Sequence, residues 1–341
     1  MNDPIDIKTK KKIIPQYEKG VFNKDLVLEC IEKNISTSWA TWGKFQQIWT
    51  NQAFNTFKDF DKYLVLIYLI RGYFQQLTDK FEYFSYDNFY DFDEIIINKL
   101  NLIKISVELN IPKETIRRKI NELQSEGIIK REGKKITLQR KLLGFQKPDL
   151  SLEAISSFIS KSSKNLQGED WFGSSIEKDE IKIYLKKFFT LLWQRFLNLQ
   201  IPFLIRHRNN FKDLETWIIW GNIALHHQKK FQLFKDSSVM RNDTTRLTDY
   251  YKQLSSLKID RGVNASSIAD ISGIPRATVI RKLRWLVKEK VIYKNKNLEY
   301  VMQSKGNLDK KIKETFLTNQ IFVAEFLTDF FDYYKNSNFK P

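Results

Sequence analysis

The chain has 341 residues, 42% of them apolar, and a formal net charge of +17. This length suits about two domains with real hydrophobic cores, and the positive charge favours a polyanionic partner or an anionic surface. The single cysteine, Cys30, excludes an internal disulfide framework and a cysteine zinc site. No signal-peptide pattern is visible, and no apolar run is long enough to cross a bilayer. The sequence therefore predicts a soluble, cytoplasmic protein that does not enter membranes.

Helical periodicity runs through most of the chain and predicts a mainly α protein. The predicted domains are, in chain order, a flexible basic N-terminus (1–20), a helical segment with a first repeated unit (21–148, the unit at about 90–140), a linker rich in Ser, Lys, Asn and Gly (149–175), a second helical segment with a second unit (176–303, the unit at about 244–303) and a C-terminal helix (304–341).

The two repeated units are 35-residue segments that share one pattern at an offset of 163 residues. Unit 1 is Lys104–Leu138 and unit 2 is Ser267–Val301. Each is predicted to form a short helix, a tight turn, a second helix and a basic β-hairpin. The positions identical in both units are Ile105/Ile268, Ile111/Ile274, Pro112/Pro275, Thr115/Thr278, Arg118/Arg281, Lys119/Lys282, Leu123/Leu286, Glu126/Glu289 and Ile129/Ile292.

The positive charge is concentrated on these units. Residues 104–148 contain twelve basic and five acidic residues, and residues 260–311 contain the same numbers. The remainder of the chain is almost neutral. This distribution favours a polyanion that contacts the two units rather than the whole surface.

A second similarity lies outside the units. The sequence FKDFDKYLVLIYLIRGYF from Phe57 resembles FKDLETWIIWGNIALHHQ from Phe211, at an offset of 154 residues. Together with the units it indicates two copies of a module of about 150 residues. The alternative is that aromatic helices in a biased composition look alike by chance.

The second helix of each unit has two distinct faces. Residues Ile116, Ile120 and Leu123 of unit 1 recur at helical spacing and are expected to face the core, as are Val279, Leu283 and Leu286 of unit 2. The opposite face carries Glu114, Arg118, Asn121 and Ser125 in unit 1 and Ala277, Arg281, Arg284 and Lys288 in unit 2. Between these helices and the helices before them, Asn110 and Gly273 suit a left-handed turn.

Both units resemble the winged helix-turn-helix domains of bacterial transcription regulators of the MarR and IclR type, most closely in SIADISGIPRATVIRKLRWLVKEKVI. The resemblance implies recognition helices at about 112–125 and 275–288 and hairpins that act as basic wings. Lys119 and Lys282, nearer the core side, suit phosphates better than bases. The candidate DNA-binding residues are Lys113, Thr115, Arg117, Arg118, Lys119, Asn121, Lys130, Arg131, Lys134, Lys135, Arg276, Ala277, Thr278, Arg281, Lys282, Arg284, Lys294 and Lys296.

The sequence thus predicts a transcription regulator that binds double-stranded DNA through two heads on one chain, as a monomeric pseudo-dimer on an asymmetric site. A plasmid- or phage-type replication initiator and a winged-helix scaffold for protein interactions are the alternatives. No catalytic motif and no cofactor or metal motif is recognisable, so an enzyme is not expected. An effector pocket among the aromatic helices is conceivable, but the sequence identifies no ligand.

Overall fold

The structure, a computed structural model, describes residues 12–13, 22–97, 101–133, 135–139, 147–167, 174–237, 247–257, 261–337 and 339. Within these ranges the protein is mainly α, with fourteen helices and three small antiparallel sheets. None of the helices in the described ranges combines the length and the apolar character needed to cross a bilayer.

The helices and strands are numbered in chain order. The helices are α1 (Lys24–Lys33), α2 (Ile35–Phe57), α3 (Phe60–Thr78), α4 (Tyr86–Tyr90), α5 (Leu102–Leu109), α6 (Lys113–Ser125), α7 (Asp149–Leu166), α8 (Lys178–Lys187), α9 (Phe189–Phe211), α10 (Leu214–Ser237), α11 (Leu247–Ser256), α12 (Ala265–Ser272), α13 (Arg276–Lys288) and α14 (Gly306–Asn336). The strands are β1 (Lys12–Ile13), β2 (Glu82–Tyr83), β3 (Glu94–Ile97), β4 (Ile129–Glu132), β5 (Lys135–Gln139), β6 (Ile292–Lys294) and β7 (Tyr300–Met302).

The boundaries of many helices recur at fixed offsets. Helices α1 and α2 have the same lengths as α8 and α9, which begin 154 residues later. Helices α5 and α6 likewise match α12 and α13 at an offset of 163. The offset between corresponding residues changes from 154 to 163 in the segment between α3 and α5. Beyond α6 and α13, the antiparallel hairpin β4–β5 corresponds in chain order to the hairpin β6–β7.

The two long helices α2 and α9 meet at the centre of the molecule. The buried side chains of Gln46 and Gln200, 154 residues apart, exchange two hydrogen bonds of 2.8 Å. The ring pair Trp42–Phe203 is mirrored by Phe196–Trp49, with centroids 5.6 and 4.9 Å apart, and these residues are related by the same offset. A residue that contacts its own counterpart lies on a two-fold axis, so the centre of the core has local two-fold symmetry.

The remaining core helices cross between the two halves of the chain. Helix α3 packs against α9, and α10 packs against α2. Helix α7 lies against both α2 and α8, and α14 lies against both α9 and α1. Each half therefore completes the hydrophobic core of the other, and burial of their aromatic side chains is the main stabilising contribution.

The predicted linker at 149–175 is wrong over Asp149–Leu166, which form the buried helix α7. Apolar residues such as Ile155 and Ile159 are spaced for one helical face and are fully buried. Most of the serines that suggested a linker are buried too, and Ser156 donates a 2.7 Å hydrogen bond to the Leu152 carbonyl one turn earlier. Small side chains satisfied in this way allow close helix packing. The predicted flexible N-terminus at 1–20 lies outside the described residues, except Lys12 and Ile13, which form β1 and pair with β2.

The Gln46–Gln200 pair provides a test of the two-fold centre. Replacing either glutamine by leucine leaves the amide of the other without its buried partner, so each single variant should lower the free energy of unfolding by about 1–3 kcal/mol. The double variant Gln46→Leu/Gln200→Leu should cost less than the two single changes together, because it leaves no unpaired amide. Urea unfolding measures all three. Additive costs would contradict the pairing.

Candidate nucleic-acid interface

Units 1 and 2 have the same turn between their two helices. Helix α5 ends at Asn110 and α12 ends at Gly273, and both residues are left-handed, with φ of 52° and 69°. The next helices begin after Pro112 and Pro275, which act as N-caps with φ of −53°. The sequence predicted helices that begin at Pro112 and Pro275, whereas in the structure each proline is the N-cap and the helix begins one residue later. Asn tolerates the left-handed region that glycine adopts freely, so both sequences make the turn.

The predicted faces of α6 and α13 are confirmed. The six residues expected to point inward are fully buried: Ile116, Ile120, Leu123, Val279, Leu283 and Leu286. Of the candidate DNA-binding residues on these helices, Thr115 and Thr278 are half-buried. Those exposed to solvent are Lys113, Arg117, Arg118, Asn121, Arg276, Ala277, Arg281 and Arg284.

Lys119 and Lys282 do not lie on the exposed face, so the phosphate-binding role predicted for them is wrong. Both side chains are buried, and each Nζ donates a 2.6 Å hydrogen bond to an aspartate, Lys119 to Asp59 and Lys282 to Asp213. A buried ammonium requires such a partner because desolvation of an unpaired charge is costly. Each lysine therefore links the buried side of the second helix of its unit to an aspartate of the core.

Each of these aspartates also caps a helix. Asp59 Oδ1 accepts from the Lys62 backbone N–H at the start of α3, and Asp213 Oδ1 accepts from Thr216 N–H at the start of α10, both at 2.8 Å. Burial raises the pKa of the Asp59 carboxyl, but the hydrogen bonds from Lys119 and Lys62 offset this, so its net pKa lies below its ordinary value. Burial and opposing hydrogen bonds likewise leave the Asp213 pKa lowered. Both carboxylates are therefore ionised at neutral pH.

The sequence contains a repeated motif that includes these two aspartates, but the motif by itself does not show that they contact units 1 and 2. Asp59 and Asp213 are the third residues of the two Phe-Lys-Asp triplets that match at an offset of 154. The middle lysines, Lys58 and Lys212, are both left-handed, with φ of 54° and 68°. Each triplet thus turns the chain sharply from one long helix to the next and places its aspartate under the second helix of the unit.

Each unit is also held by the opposite half of the molecule. The Asn110 side chain donates to Asn209 Oδ1 at 3.1 Å, and Arg208 Nη1 donates to the Asn110 carbonyl at 3.1 Å, so the end of α9 contacts the turn of unit 1. In unit 2, Asn51 on α2 donates a 3.0 Å hydrogen bond to the Ile271 carbonyl. Each unit is thus in contact with both halves of the chain. These contacts orient the two units relative to the core and so relative to each other.

The exposed cations of unit 1 are largely neutralised by neighbouring acids. Arg117 forms a 2.5 Å ion pair with Glu114, and Arg118 lies 3.5 Å from Glu122. Both pairs follow the i,i+3 or i,i+4 spacing of a helix surface. Because a carboxylate lies next to each of these arginines, the exposed face of α6 attracts a polyanion more weakly than its basic residues alone would.

The second helix of unit 2 carries an exposed face without acids. Its sequence, RATVIRKLRWLVK, contains five basic residues and no acidic one. Arg281, Arg284 and Lys288 point to solvent, and within the part of the chain that the structure describes no carboxylate lies at ion-pair distance from them. Arg276 donates a 3.0 Å hydrogen bond to Ser266 Oγ. This face is the strongest positive feature of either unit.

The hairpins differ in their support. In unit 1, β3 extends the hairpin to a three-stranded sheet, whereas among the described residues unit 2 has a single bridge, between Val263 and Tyr300, in that place. Buried His227 of α10 compensates, because its Nε2 accepts a 3.0 Å hydrogen bond from the Met302 N–H of β7. Burial lowers the His227 pKa to about 4, so its ring is neutral and able to accept at physiological pH.

The candidate wing residues lie on or near the hairpin tips. Lys130, Lys135, Lys294 and Lys296 are exposed, and Lys134 lies outside the described residues. Lys130 pairs with Glu132 at 2.8 Å, and half-buried Arg131 donates to the Gly133 carbonyl at 3.1 Å. In unit 1, therefore, acids and carbonyls neutralise part of the hairpin as well as part of the helix.

No cluster of three or more histidine, cysteine, aspartate or glutamate side chains suited to a metal ion occurs in the described ranges. Comparison of the chain with protein-family models, with curated proteins and with solved structures found no match.

The buried lysines give a stability test. Lys282→Met should lower the free energy of unfolding by about 1–3 kcal/mol, because the change removes a buried ion pair but leaves Asp213 partly accessible to water. Lys119→Met should behave in the same way. The matched control is Lys288→Met on the exposed face of the same helix, with an expected change within about 0.5 kcal/mol. Equal effects of Lys282→Met and Lys288→Met in denaturant unfolding would refute the anchoring role.

Proposed function

We propose that units 1 and 2 are winged helix-turn-helix domains, related by internal duplication, and that the chain binds double-stranded DNA in a sequence-specific manner as a transcription regulator. The observation that carries this proposal is the acid-free, exposed basic face of α13, turned outward by the Lys282 anchor. The same construction in α6, with Lys119 as its anchor, supports the assignment of two heads.

The chemistry of α13 suits a major groove. A groove admits one α-helix, and an arginine can donate two hydrogen bonds to the O6 and N7 atoms of guanine. Arg281 and Arg284 are exposed near the middle of the helix and carry guanidinium groups of the required reach. Thr278, at the helix start, has the size and chemistry to bond a phosphate or to contact a thymine methyl.

The hairpins would add affinity that does not depend on sequence. Lys294 and Lys296 lie at the tip of the unit 2 hairpin, and Lys130 and Lys135 occupy the unit 1 hairpin. Cations beside the groove displace counterions from phosphates, so this part of the binding falls steeply as salt rises. A winged-helix scaffold for protein interactions would show no salt-dependent binding to DNA.

The two heads would act as a pseudo-dimer within one chain. Helix-turn-helix regulators commonly read two half-sites through two identical subunits. Here the helices α2 and α9 take the place of a dimer interface, and contacts from opposite halves hold each turn. The outward faces differ, with Glu114 and Asn121 where unit 2 has Ala277 and Arg284. Different faces would read different bases.

Paired alanine substitutions test the proposal. Arg281→Ala/Arg284→Ala should weaken binding to the preferred DNA site about 30-fold or more, since a bidentate arginine–guanine contact contributes about 1–3 kcal/mol. Arg117→Ala/Arg118→Ala should cost less than about tenfold, because those arginines are already paired with Glu114 and Glu122. Fluorescence anisotropy at several salt concentrations measures both.

The charge-matched control is Lys44→Ala/Lys80→Ala, which removes two exposed cations outside the units. It should bind within about twofold of the wild type. If Arg281→Ala/Arg284→Ala bound as well as the wild type, or if the control lost as much affinity, the proposed DNA interface would be wrong.

The pseudo-dimer makes a separate prediction. Selection from random duplex DNA with the purified chain should yield sites with two unequal half-sites, each bound by one chain, as sedimentation of the complex would report. A perfect palindrome bound by two chains would contradict the assignment of one half-site to each unit.

A further inference from the structure

A cavity lies between α2 and α10, next to unit 2. Its volume is about 90 Å³, and its walls include Trp39, Trp42, Trp217 and Trp220. The floor is completed by Phe203 and His207 of α9, Phe316 of α14 and Met302 of β7. Trp39, Gly43, Gln47 and Gly221, which line it, are partly exposed, so it opens to solvent between α2 and α10.

Small residues line this cavity. A cavity of about 70 Å³ lies at the symmetry-related place, between α3 and α9, where Leu197, Ile67 and Ile70 line it. At an offset of 154 these three residues correspond to Gly43, Gly221 and Ala224 in the larger cavity. A side chain added at Gly221 would enter open space, because no heavy atom lies within 4 Å of the position of its Cβ.

Three buried hydrogen-bond donors belong to side chains that line the larger cavity. The indole N–H groups of Trp42 and Trp220 have no acceptor within the described part of the chain. The third donor is on His207. The side-chain oxygen of Asn319 accepts a hydrogen bond from Arg206. The Asn319 amide nitrogen therefore faces His207 and donates to its Nε2 at 3.1 Å. This arrangement places the ring proton on Nδ1, which also has no acceptor in the described ranges. Buried donors of this kind cost free energy unless an acceptor reaches them.

The lining excludes charged ligands. It contains no Asp, Glu, Lys or Arg, and burial, with a smaller contribution from Arg206, lowers the pKa of His207 to about 3, so that its ring is neutral. His207 stacks on Trp217 with ring centroids 4.6 Å apart. A charged group would lose its hydration here without gaining a partner, whereas a flat apolar ring would contact aromatic faces.

We propose that this cavity binds a small, uncharged aromatic molecule that bears a carbonyl oxygen. The ring packs between the tryptophans, and the carbonyl accepts hydrogen bonds from the unpartnered N–H donors. An apolar cavity of about 150 Å³ accepts a single benzene ring, and this cavity is smaller, about 90 Å³, but open to solvent, so the ligand is limited to about one ring with a short substituent.

Three probes of similar size separate the parts of the proposal. Acetophenone has both the ring and the carbonyl, ethylbenzene lacks the carbonyl, and benzoate carries a negative charge. Saturation-transfer NMR and quenching of tryptophan fluorescence, both without DNA, should show saturable binding of acetophenone, about two- to tenfold weaker binding of ethylbenzene, and no saturable binding of benzoate. Trp220→Phe should remove most of the preference for acetophenone over ethylbenzene.

A pair of glycine variants locates the site. Gly221→Ile places in the larger cavity the residue found at the corresponding position, Ile67, and should abolish acetophenone binding while the protein stays folded. Gly72→Ile is the matched control, because Gly72 is also helical and its Cβ would likewise meet open space. It should bind as the wild type does. Undiminished binding by Gly221→Ile, equal binding of benzoate, or no saturable binding of acetophenone by the wild type would overturn the proposal.

Discussion

The arrangement of each unit depends on one buried ion pair, Lys119–Asp59 in the first half and Lys282–Asp213 in the second. The aspartate caps the helix that follows a sharp turn, and its second oxygen binds the lysine beneath the outward-facing helix. A buried pair of this kind adds little net stability, since desolvation offsets much of its Coulomb attraction. Its stronger effect is on geometry, because a helix rotated by one residue would leave a charge buried without a partner.

This constraint decides which residues are available for function. With the lysine turned under the helix, the neighbouring arginines at positions 118 and 281 are turned toward solvent, on the face opposite the apolar stripe. The basic surface of α13 is thus a consequence of a buried contact. The turns before α6 and α13 receive further hydrogen bonds from α9 and α2, so the core that joins the two halves also sets the position of both exposed faces.

Much of this could be predicted from the sequence. The spacing of Ile116, Ile120 and Leu123 identified the buried face, and Asn110 and Gly273 marked the turns, because period and backbone preference are local properties. The role of Lys119 and Lys282 could not be predicted in the same way. A lysine near the edge of a helical face can point to solvent or to a buried acid, and the acid that decides between them lies 60 residues away in unit 1 and 69 in unit 2.

The predicted linker fails for a related reason. Serine-rich segments are usually solvated because hydroxyl groups need partners. For Ser156 and Ser162 of α7 those partners are carbonyls of the preceding turn, and for Ser160 the partner is the Ile176 carbonyl beyond the helix, so all of them become available only in the folded chain. Composition alone could not distinguish a solvated segment from a helix with small residues on its packed face, and the apolar residues between the serines were the better guide.

The differences between the two halves lie at the surfaces where binding is proposed. The central contacts use equivalent residues, such as Gln46 with Gln200, and both lysine anchors are kept. On the outer helices, acids offset the arginines of unit 1 but not those of unit 2. Inside, glycine and alanine in the second half replace branched apolar residues of the first and enlarge one cavity beside α10. Asp213, which anchors α13, also caps the start of α10, and α10 carries His227, which supports β7. The helix that borders the larger cavity is therefore the one that positions the second helix of unit 2, which is the more basic of the two.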